Sequence, residues 1–295
     1  MEKNRVRWGV LGCSGIVKNR PIPAMLSTSN AELYAIAGRN EEKLKAYAEP
    51  FAPKKLYTDY QALLNDENVD AVYVPLPNGL HMEWAIKAAE AGKHILCEKP
   101  LAMNEEQVKK MFAAAKANHV LLEEAYASRH AQLAQRVKEI IDSGEIGRIR
   151  YLESKHSTFD TNREGIRYQK GVGGGAVYDV TCYNVSLASY LFGKDPTEIH
   201  VSCSFDEKTG VDLADAVLLR YENSGVASLY AGLDAYPRGC FSIIGDSGRI
   251  DVDHKFNSRG LCKIRVGKNA RPQNAEYVDE ITTEYTIWVD DNYYM

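Results

Sequence analysis

Short apolar runs alternate with amphipathic helical stretches from Arg5 to Leu122, and this alternation constrains the fold more than any other feature. The apolar runs are VRWGVLG, AELYAIAGR, KKLY, DAVYVPLP, KHILCEKP and HVLLEEA. The helical stretches include EEKLKAYAEPFA, YQALLNDE, HMEWAIKAAEAG and NEEQVKKMFAAAKAN. Strands that alternate with helices form βαβ units, and successive units build a parallel sheet with helices on both faces. We therefore predict a doubly wound α/β domain over residues 1–124.

The sequence pattern changes after Glu124. A helix is predicted over Gln132–Ser143, followed by the strand RIRYLESKHSTF, a glycine-rich loop and a second helix, about Ala176–Phe192. From Thr197 onward strand follows strand, with turn signals at residues 222–225 and 245–248 that are typical of hairpins. This predicts a second α+β domain, residues 125–295, with a largely antiparallel open sheet.

Composition excludes several classes of partner. The 295 residues are enough for two domains, and a net charge of -4 gives no electrostatic case for nucleic acid or an anionic membrane. The six cysteines include no C-x-x-C pair, so we expect neither a disulfide nor a metal site. The N-terminus lacks the apolar region of a signal peptide, and no run reaches membrane-spanning length. We expect a cytoplasmic protein that acts on a small molecule.

The first predicted strand runs into a loop that is typical of dinucleotide binding. The loop matches G-x-G-x-x-G only in part, since serine occupies the second glycine position and valine the third. Its position between a strand and a helix is that of the phosphate loop in Rossmann domains, where helix N–H groups hold a pyrophosphate. A tight turn without a ligand is the alternative. The candidate cofactor residues are Gly12, Cys13, Ser14, Gly15 and Ile16.

The end of the second predicted strand bears on which cofactor binds. An acid at this position would bind the ribose hydroxyl of NAD, but the sequence has Gly38 followed by Arg39. An arginine can make a bidentate contact with the 2′-phosphate of NADP. We therefore predict NADP, with NAD possible and a solvated surface arginine as the alternative for Arg39.

Two further motifs carry candidate catalytic residues. The fifth strand ends in Glu98 and Lys99, where ligands bind in a doubly wound sheet. In the second domain a run of three glycines precedes a helix on which Asp179 and Tyr183, four residues apart, share a face. In isolation, Asp179 could be a cap and Tyr183 a core residue.

The sequence resembles the Gfo/Idh/MocA oxidoreductases, named after glucose-fructose oxidoreductase and inositol dehydrogenase. The resemblance rests on CEKP, LPNGLH, EAYASR, GGGAVYDVTCY, GVDLADAVLLRYE and SIIGDSGRIDV, and it covers nearly the whole chain. Within the family the sequence is most similar to dimeric dihydrodiol dehydrogenases and NADP-dependent D-xylose dehydrogenases. The family continues past the position of Met295 with helices, which we expect to be absent from this sequence.

The resemblance implies a fold, a cis Lys99–Pro100 bond and a set of site residues. The fold is an N-terminal Rossmann domain followed by a substrate-binding domain. The implied catalytic residues are Lys99, Asp179 and Tyr183. Further implied cofactor contacts are Pro75, Asn78, His81, Glu98 and Lys99, where Glu98 could instead position the lysine and His81 could lack a ligand. Weaker candidates for substrate contact, chosen because their segments could face the substrate, are Arg129 and His156, followed by Arg163, Arg167 and Tyr168. For each of these a solvated or structural role is the alternative.

These residues support hydride transfer between nicotinamide and a sugar, polyol or related hydroxy or keto compound. Such a reaction requires a proton donor and acceptor at the substrate oxygen. Tyr183 is the first choice, because an ammonium such as Lys99 would lower a tyrosine pKa from its ordinary value of about 10. Lys99 itself is the alternative proton donor, and Asp179 would orient the substrate or the lysine.

The sequence is also compatible with two other functions, and it predicts self-association. A non-catalytic dinucleotide sensor and a glycoside-cleaving enzyme with transient nicotinamide redox are the alternative functions. The open face of the second sheet is expected to expose alternate apolar side chains, such as those of VASLYAGL. Because such faces are usually covered by self-association, we predict a homodimer or homotetramer.

Overall fold

The computed structural model describes residues 5–222, 225–254, 258, 260–269 and 280–289. Within these ranges the chain forms two compact units. The first runs to Tyr126 and includes Gly171–Gly173, and the second comprises Ala127–Lys170 and the residues from Gly174 onward. All six cysteines are free thiols. In the described part of the chain, no helix is both long and apolar enough to cross a membrane.

The first unit is built on a six-stranded sheet in which every strand pairing is parallel. Its strands are β1 (Val6–Leu11), β2 (Ala31–Ala37), β3 (Lys55–Tyr57), β4 (Ala71–Val74), β5 (His94–Glu98) and β6 (Leu122–Ala125). The strand order β3-β2-β1-β4-β5-β6 is that of a doubly wound Rossmann sheet. The predicted fold of this region is confirmed, and every strand lies within a run chosen from the sequence.

The helices of the first unit cover the two faces of this sheet. They are α1 (Gly15–Asn19), α2 (Pro21–Ser27), α3 (Glu41–Ala48), α4 (Tyr60–Leu64), α5 (His81–Glu90) and α6 (Glu105–Ala117). One buried cluster includes Leu63, Val72 and Met111, and the other includes Ile22 and Ile36. The β-branched and aliphatic residues of the strands therefore pack into two apolar layers, as a parallel sheet requires.

The second unit contains an eight-stranded sheet and two long helices. Its elements are α7 (Gln132–Asp142), β7 (Ile149–Phe159), a π-helical turn (Val177–Thr181), α8 (Cys182–Phe192), β8 (Glu198–Phe205), β9 (Asp212–Arg220), β10 (Val226–Gly232), β11 (Asp234–Gly245), β12 (Gly248–Val252), β13 (Gly260–Asn269) and β14 (Glu280–Val289). The order is β14-β13-β12-β11-β7-β10-β9-β8, and only β7 and β10 pair in parallel. The α+β prediction is confirmed, but β14 was not predicted.

The predicted hairpin turns have different outcomes. Residues 245–248 join β11 to β12, which pair antiparallel, as predicted. The other turn includes Asn223 and Ser224, which lie outside the described residues, although β9 and β10 on either side pair antiparallel.

The burial of the side chains on β10 differs in one respect from the prediction for the open face of the sheet. Ala227, Leu229 and Ala231 are buried on the side of the sheet that the π turn and α8 cover. The opposite face receives Val226, Ser228 and Tyr230, and Tyr230 is 38% exposed. Most of the apolar side chains of this strand therefore belong to the core, and Val226 and Tyr230 are its apolar contribution to the open face.

A buried polar cluster around Asp66 stabilises the first unit. Asp66 is 8% exposed, and its carboxylate accepts hydrogen bonds from Tyr57 Oη at 2.6 Å, Lys55 Nζ at 3.0 Å and Asn68 N at 2.9 Å. Burial raises the pKa of Asp66, but the donors outweigh it and hold the pKa well below its usual value. The carboxylate therefore stabilises the fold above the ordinary aspartate pKa of about 3.9, and this stability is lost as the pH falls below it.

We expect Asp66→Ala to lower the free energy of unfolding by about 2 kcal/mol at neutral pH, because it removes the charged acceptor of several hydrogen bonds. Urea unfolding measures this difference, which should shrink in strongly acidic buffer as the native carboxylate gains a proton. Asp142→Ala, which removes a surface carboxylate on α7, is the matched control and should change little. Equal stability of native and Asp66→Ala proteins at neutral pH would contradict this account.

Candidate active site

The loop after β1 has the backbone and the polar atoms of a dinucleotide-binding turn. Gly12 has a φ of 110°, a conformation that side chains with a Cβ rarely adopt. Ser14 precedes α1 without making a capping hydrogen bond, and its Oγ atom is buried with no hydrogen-bond partner among the described residues. Gly15 and Ile16 are exposed. A buried hydroxyl without a partner beside exposed backbone is suited to receiving a polar ligand group.

The helix predicted after this loop is interrupted. It ends after Asn19, and α2 begins at Pro21. Arg20 between them has φ −134° and ψ −79°, outside the helical region, because a residue that precedes proline is disfavoured there. The helix that opens at the loop is therefore only five residues long.

The structure explains why no acid follows β2. A Cβ atom at Gly38 would lie 2.8 Å from the Sγ atom of Cys13, so the side chain of the phosphate loop occupies that space. The next residue, Arg39, is exposed. Burial raises the pKa of Tyr60, and the Arg39 guanidinium, which hydrogen-bonds to this tyrosine, opposes the rise. Tyr60 lies close to the phosphate loop, because a Cβ atom at Gly12 would be 3.7 Å from Tyr60 Oη. Arg39, which contacts Tyr60, therefore also lies beside the loop.

Three side chains fix the backbone of the loop that carries Lys99. Glu98 Oε2 accepts from Lys99 N at 3.1 Å, and Glu124 Oε1 accepts from Leu101 N at 2.8 Å. The buried Tyr73 hydroxyl donates to Glu98 Oε1. The Lys99–Pro100 bond is cis, in agreement with the resemblance. These contacts support a positioning role for Glu98.

His81 has a structural role that differs from direct cofactor contact. Its ring is fully buried, with Nδ1 2.9 Å from Pro100 O and Nε2 2.7 Å from Leu76 O. Burial lowers the pKa of His81, while the two carbonyl contacts and Glu98 act in the opposite direction. Because both ring nitrogens are engaged inside the protein, His81 joins the loops after β4 and β5 rather than facing a ligand.

The other predicted residues after β4 also contact the protein. Pro75 is buried at the end of the strand. Asn78 donates from Nδ2 to Gly173 O at 2.8 Å, within the same compact unit. The loop that Lys99 occupies and the loop after β4 are thus held by internal hydrogen bonds at the carboxyl ends of neighbouring strands.

In the second unit, Asp179 lies on the π turn and Tyr183 on the first turn of α8. Widened turns of this kind occur frequently at functional sites. Asp179 Oδ2 accepts from Arg167 Nε at 2.6 Å, and Arg167 Nη1 donates to Asp160 Oδ2 at 3.1 Å. Arg167, which sequence reasoning treated as a possible substrate contact, therefore holds the Asp179 carboxylate.

Two further candidates lie close to Tyr183. The rings of His156 and Tyr183 are 5.3 Å apart and tilted by 49°. Arg129 Nε donates to Ser186 Oγ at 3.0 Å, and Ser186 follows Tyr183 by three residues on the same helix face. The π turn, α8 and β7 therefore bring Asp179, Tyr183 and His156 together within this unit.

Arg163 and Tyr168, two of the weaker candidates for substrate contact, contact each other. The Arg163 guanidinium lies 4.8 Å from the centre of the Tyr168 ring, which is buried. Burial raises the pKa of Tyr168, and Arg163 opposes this. This contact agrees with the structural role that the sequence left open for both residues.

Two profiles match this chain. The "Oxidoreductase family, NAD-binding Rossmann fold" profile covers residues 6–126, and the "GFO/IDH/MocA C-terminal domain" profile covers residues 134–251. The chain belongs to the Gfo/Idh/MocA oxidoreductase family. The resemblance seen in the sequence is thereby confirmed for both domains of this Gfo/Idh/MocA protein.

Two relatives of this Gfo/Idh/MocA protein are named as a reductase and a dehydrogenase. A dTDP-3,4-didehydro-2,6-dideoxy-α-D-glucose 3-reductase from Saccharopolyspora spinosa is 36% identical over 85% of this chain and 75% of its own length. The D-xylose 1-dehydrogenase (NADP(+)) 2 from Haloferax volcanii is 34% identical over 85% of this chain and 76% of its own.

A solved structure agrees with this relationship. The 3-ketoreductase KijD10 from Actinomadura kijaniata, in complex with NADP and TDP-benzene, matches with a TM-score of 0.89 at 30% identity. The match covers 99% of this chain and 87% of that chain. The fold of this Gfo/Idh/MocA protein is therefore similar to that of KijD10.

Sequence reasoning missed several residues that shape the site. Tyr73 and Glu124 lie within strands, and from the sequence alone the first is typical of a core residue and the second of a surface acid. In the structure both help to hold the Lys99 loop. Asp160 follows the long strand β7 in a polar segment without a motif. No local signal marks such residues, because their partners are distant in sequence.

Proposed function

We propose that this protein is an NADP-dependent, cytoplasmic oxidoreductase that acts on the CH–OH or carbonyl group of a sugar-like substrate. The observation that carries the proposal is the pairing of a dinucleotide loop after β1 with a rigidly held Lys99 loop after β5, at the same edge of one parallel sheet. Ligands bind at this edge in doubly wound folds. The relatives, named as reductases and dehydrogenases, do not support a sensor or a glycoside-cleaving enzyme.

The residues after β1 and β2 fit NADP. Gly12 allows close approach of a pyrophosphate, Ser14 Oγ supplies an unpartnered polar atom, and Arg39 supplies a cation where an acid would repel a phosphate. The bound nicotinamide supplies or accepts the hydride. The KijD10 structure, which contains NADP, supports this assignment.

The proton is handled by residues of the protein. We assign Tyr183 as the acid/base at the substrate oxygen, Lys99 as a hydrogen-bond donor to that oxygen, and Asp179 as the residue that orients the substrate. Arg167 would hold the Asp179 carboxylate in place through the 2.6 Å contact. His156, whose ring lies against Tyr183, and Arg129 are assigned to the substrate pocket.

The test of this function is turnover of NADPH or NADP with a substrate panel. The panel contains a dTDP-linked 3-keto sugar, D-xylose and a vicinal diol, which represent the relatives' substrates. We expect saturable turnover with at least one class, followed by nicotinamide absorbance. Tight NADPH binding without turnover across the panel, or turnover without net NADPH change, would contradict the proposal.

Cofactor preference follows from Arg39. We expect NADP(H) to bind more tightly than NAD(H), and Arg39→Ala to weaken NADP(H) at least about tenfold while leaving NAD(H) nearly unchanged, since a bidentate phosphate contact is lost. Titration of intrinsic fluorescence measures both dissociation constants. Lys45→Ala, which removes an exposed cation of α3 that pairs with Glu41, is the control. Equal affinity of the native protein for both cofactors would remove the basis for this assignment.

Self-association through the open sheet face is the remaining part of the proposal. The native protein should be a dimer or a dimer of dimers in light scattering at micromolar concentration. Tyr230→Arg places a charge on the open face and should shift the protein toward monomer, because an unpaired charge in an interface must lose its hydration. A native monomer at that concentration would contradict this prediction.

A further inference from the structure

Two aspartates of β9, one half-buried and one fully buried, lie beneath the π turn that carries Asp179. Asp215 is fully buried, and Asp212 lies three residues before it at the start of the strand. Neither takes part in the proton and hydride steps assigned above. Buried carboxyl groups are rare unless they are paired, so their surroundings need an explanation.

The two carboxyl groups hold the two ends of the π turn. Asp212 Oδ2 accepts from the backbone N–H of Val177, the first residue of the turn, at 2.6 Å. Asp215 Oδ2 accepts from the hydroxyl of Thr181, the last residue of the turn, at 2.6 Å. A Cβ atom at Gly175 would lie 2.1 Å from Asp212 Oδ1, so the third glycine of the motif makes room for this carboxyl group. The position of the turn therefore depends on both aspartates.

The aspartates also interact with each other. Burial raises the pKa of Asp212, the Val177 N–H opposes the rise, and the neighbouring Asp215 charge adds to it. Asp215 Oδ1 is buried and meets no N–H or O–H donor among the described residues. An ionised carboxylate only accepts hydrogen bonds, so a proton on Asp212 would supply the donor that Asp215 Oδ1 lacks. Two carboxyl groups that share a buried site ionise in separate steps.

Titratable side chains from neighbouring elements lie near this pair and near the turn that it holds. From β8 the Cys203 thiol faces Asp215, and burial together with that contact raises the pKa of Cys203 to about 11, so the thiol is neutral at pH 7. From β7 the ring of His156 lies against Tyr183, and Arg167 binds Asp179.

We propose that Asp212 and Asp215 share one proton at neutral pH and act as positioning residues that fix the π turn, and with it Asp179 and Tyr183. The pair holds the turn at Val177 and at Thr181, so it sets the direction in which both functional side chains project. The positioning part rests on the proposed function, whereas the proton-sharing part does not.

The shared proton is tested without a substrate. Carbon-13 NMR of the aspartate carboxyl carbons is followed as a function of pH in the native protein and in Asp215→Asn. We expect Asp212 to titrate above the ordinary value of about 3.9 in the native protein and closer to that value in Asp215→Asn, which removes the neighbouring charge. Ordinary titration of both residues would overturn the proton-sharing part, whatever the activity of the enzyme.

The positioning role is tested with two substitutions at one site. Asp215→Asn keeps an acceptor for Thr181 and a donor for Asp212, so kcat should stay within about threefold of native. Asp215→Leu removes both and should lower kcat about tenfold or more, because small displacements of catalytic groups are costly to the rate. KM for NADPH should not change in either variant. Asp253→Asn, an exposed carboxyl group on the same unit, is the control.

Failure of the positioning role and failure of the proposed function give different results. If Asp215→Leu fails to fold, Thr181→Val, which removes one of the two hydrogen bonds, should still lower kcat without changing NADPH affinity. Equal activity of Asp215→Asn and Asp215→Leu, whether native or lost in both, would overturn the positioning role. A native protein that turns over no sugar-like substrate would overturn the proposed function and leave the titration result standing.

Discussion

Replacing Tyr183 with phenylalanine should lower kcat about a hundredfold or more and leave NADPH affinity nearly unchanged. The phenol is the group we assign to proton transfer at the substrate oxygen, and loss of a general acid/base typically has this effect. A hundredfold loss corresponds to about 2.7 kcal/mol of transition-state stabilisation. Steady-state kinetics together with fluorescence titration of NADPH measure both quantities.

A second tyrosine on α8 gives the control for this experiment. Tyr190→Phe removes a hydroxyl group further along the same helix and should turn over at close to the native rate. If Tyr183→Phe also turns over at the native rate, Lys99 becomes the leading proton donor. The assignment of Tyr183 would then be wrong.

Replacing Lys99 with alanine should lower kcat at least as much as Tyr183→Phe does. It removes both a hydrogen bond to the substrate oxygen and the positive charge that favours the phenolate form of a nearby tyrosine. The double variant should be far less than additive, because residues that act as one unit are not independent. Kinetics of the native, single and double variants form the required cycle.

Surface lysines provide the comparison for this loss. Lys116→Ala removes a cation from the last turn of α6 and should leave kcat unchanged. Fully additive losses in the double variant would show that Lys99 and Tyr183 act independently, which would contradict a shared site.

The fold of the first domain could be predicted because each strand is a continuous apolar run. A strand buried on both faces, such as β4 (Ala71–Val74), needs no alternation, and its apolar length alone identifies it. The π turn could not be predicted, because the sequence Ala176–Phe192 has the periodicity of an ordinary helix. The hydrogen bonds that its two ends make, to Asp212 and Asp215, come from a strand distant in sequence.

The candidate site was predicted only where residue type and position in the fold coincide. Lys99 follows a strand at the ligand-binding edge, and the structure adds that Glu98, Glu124 and His81 hold its loop. For His81 the sequence left open whether the side chain meets a ligand, and the structure shows a fully buried ring against two carbonyl oxygens. Contacts between polar groups far apart in the chain require the folded structure.

The central claim is direct hydride transfer between NADPH and a sugar-like substrate. The most direct test uses NADPH that carries deuterium on the transferred position of the nicotinamide, with product analysis by mass spectrometry. We predict one deuterium on the reduced carbon of each product molecule and consumption of one NADPH for each. Product that forms without deuterium and without net oxidation of NADPH would contradict this account.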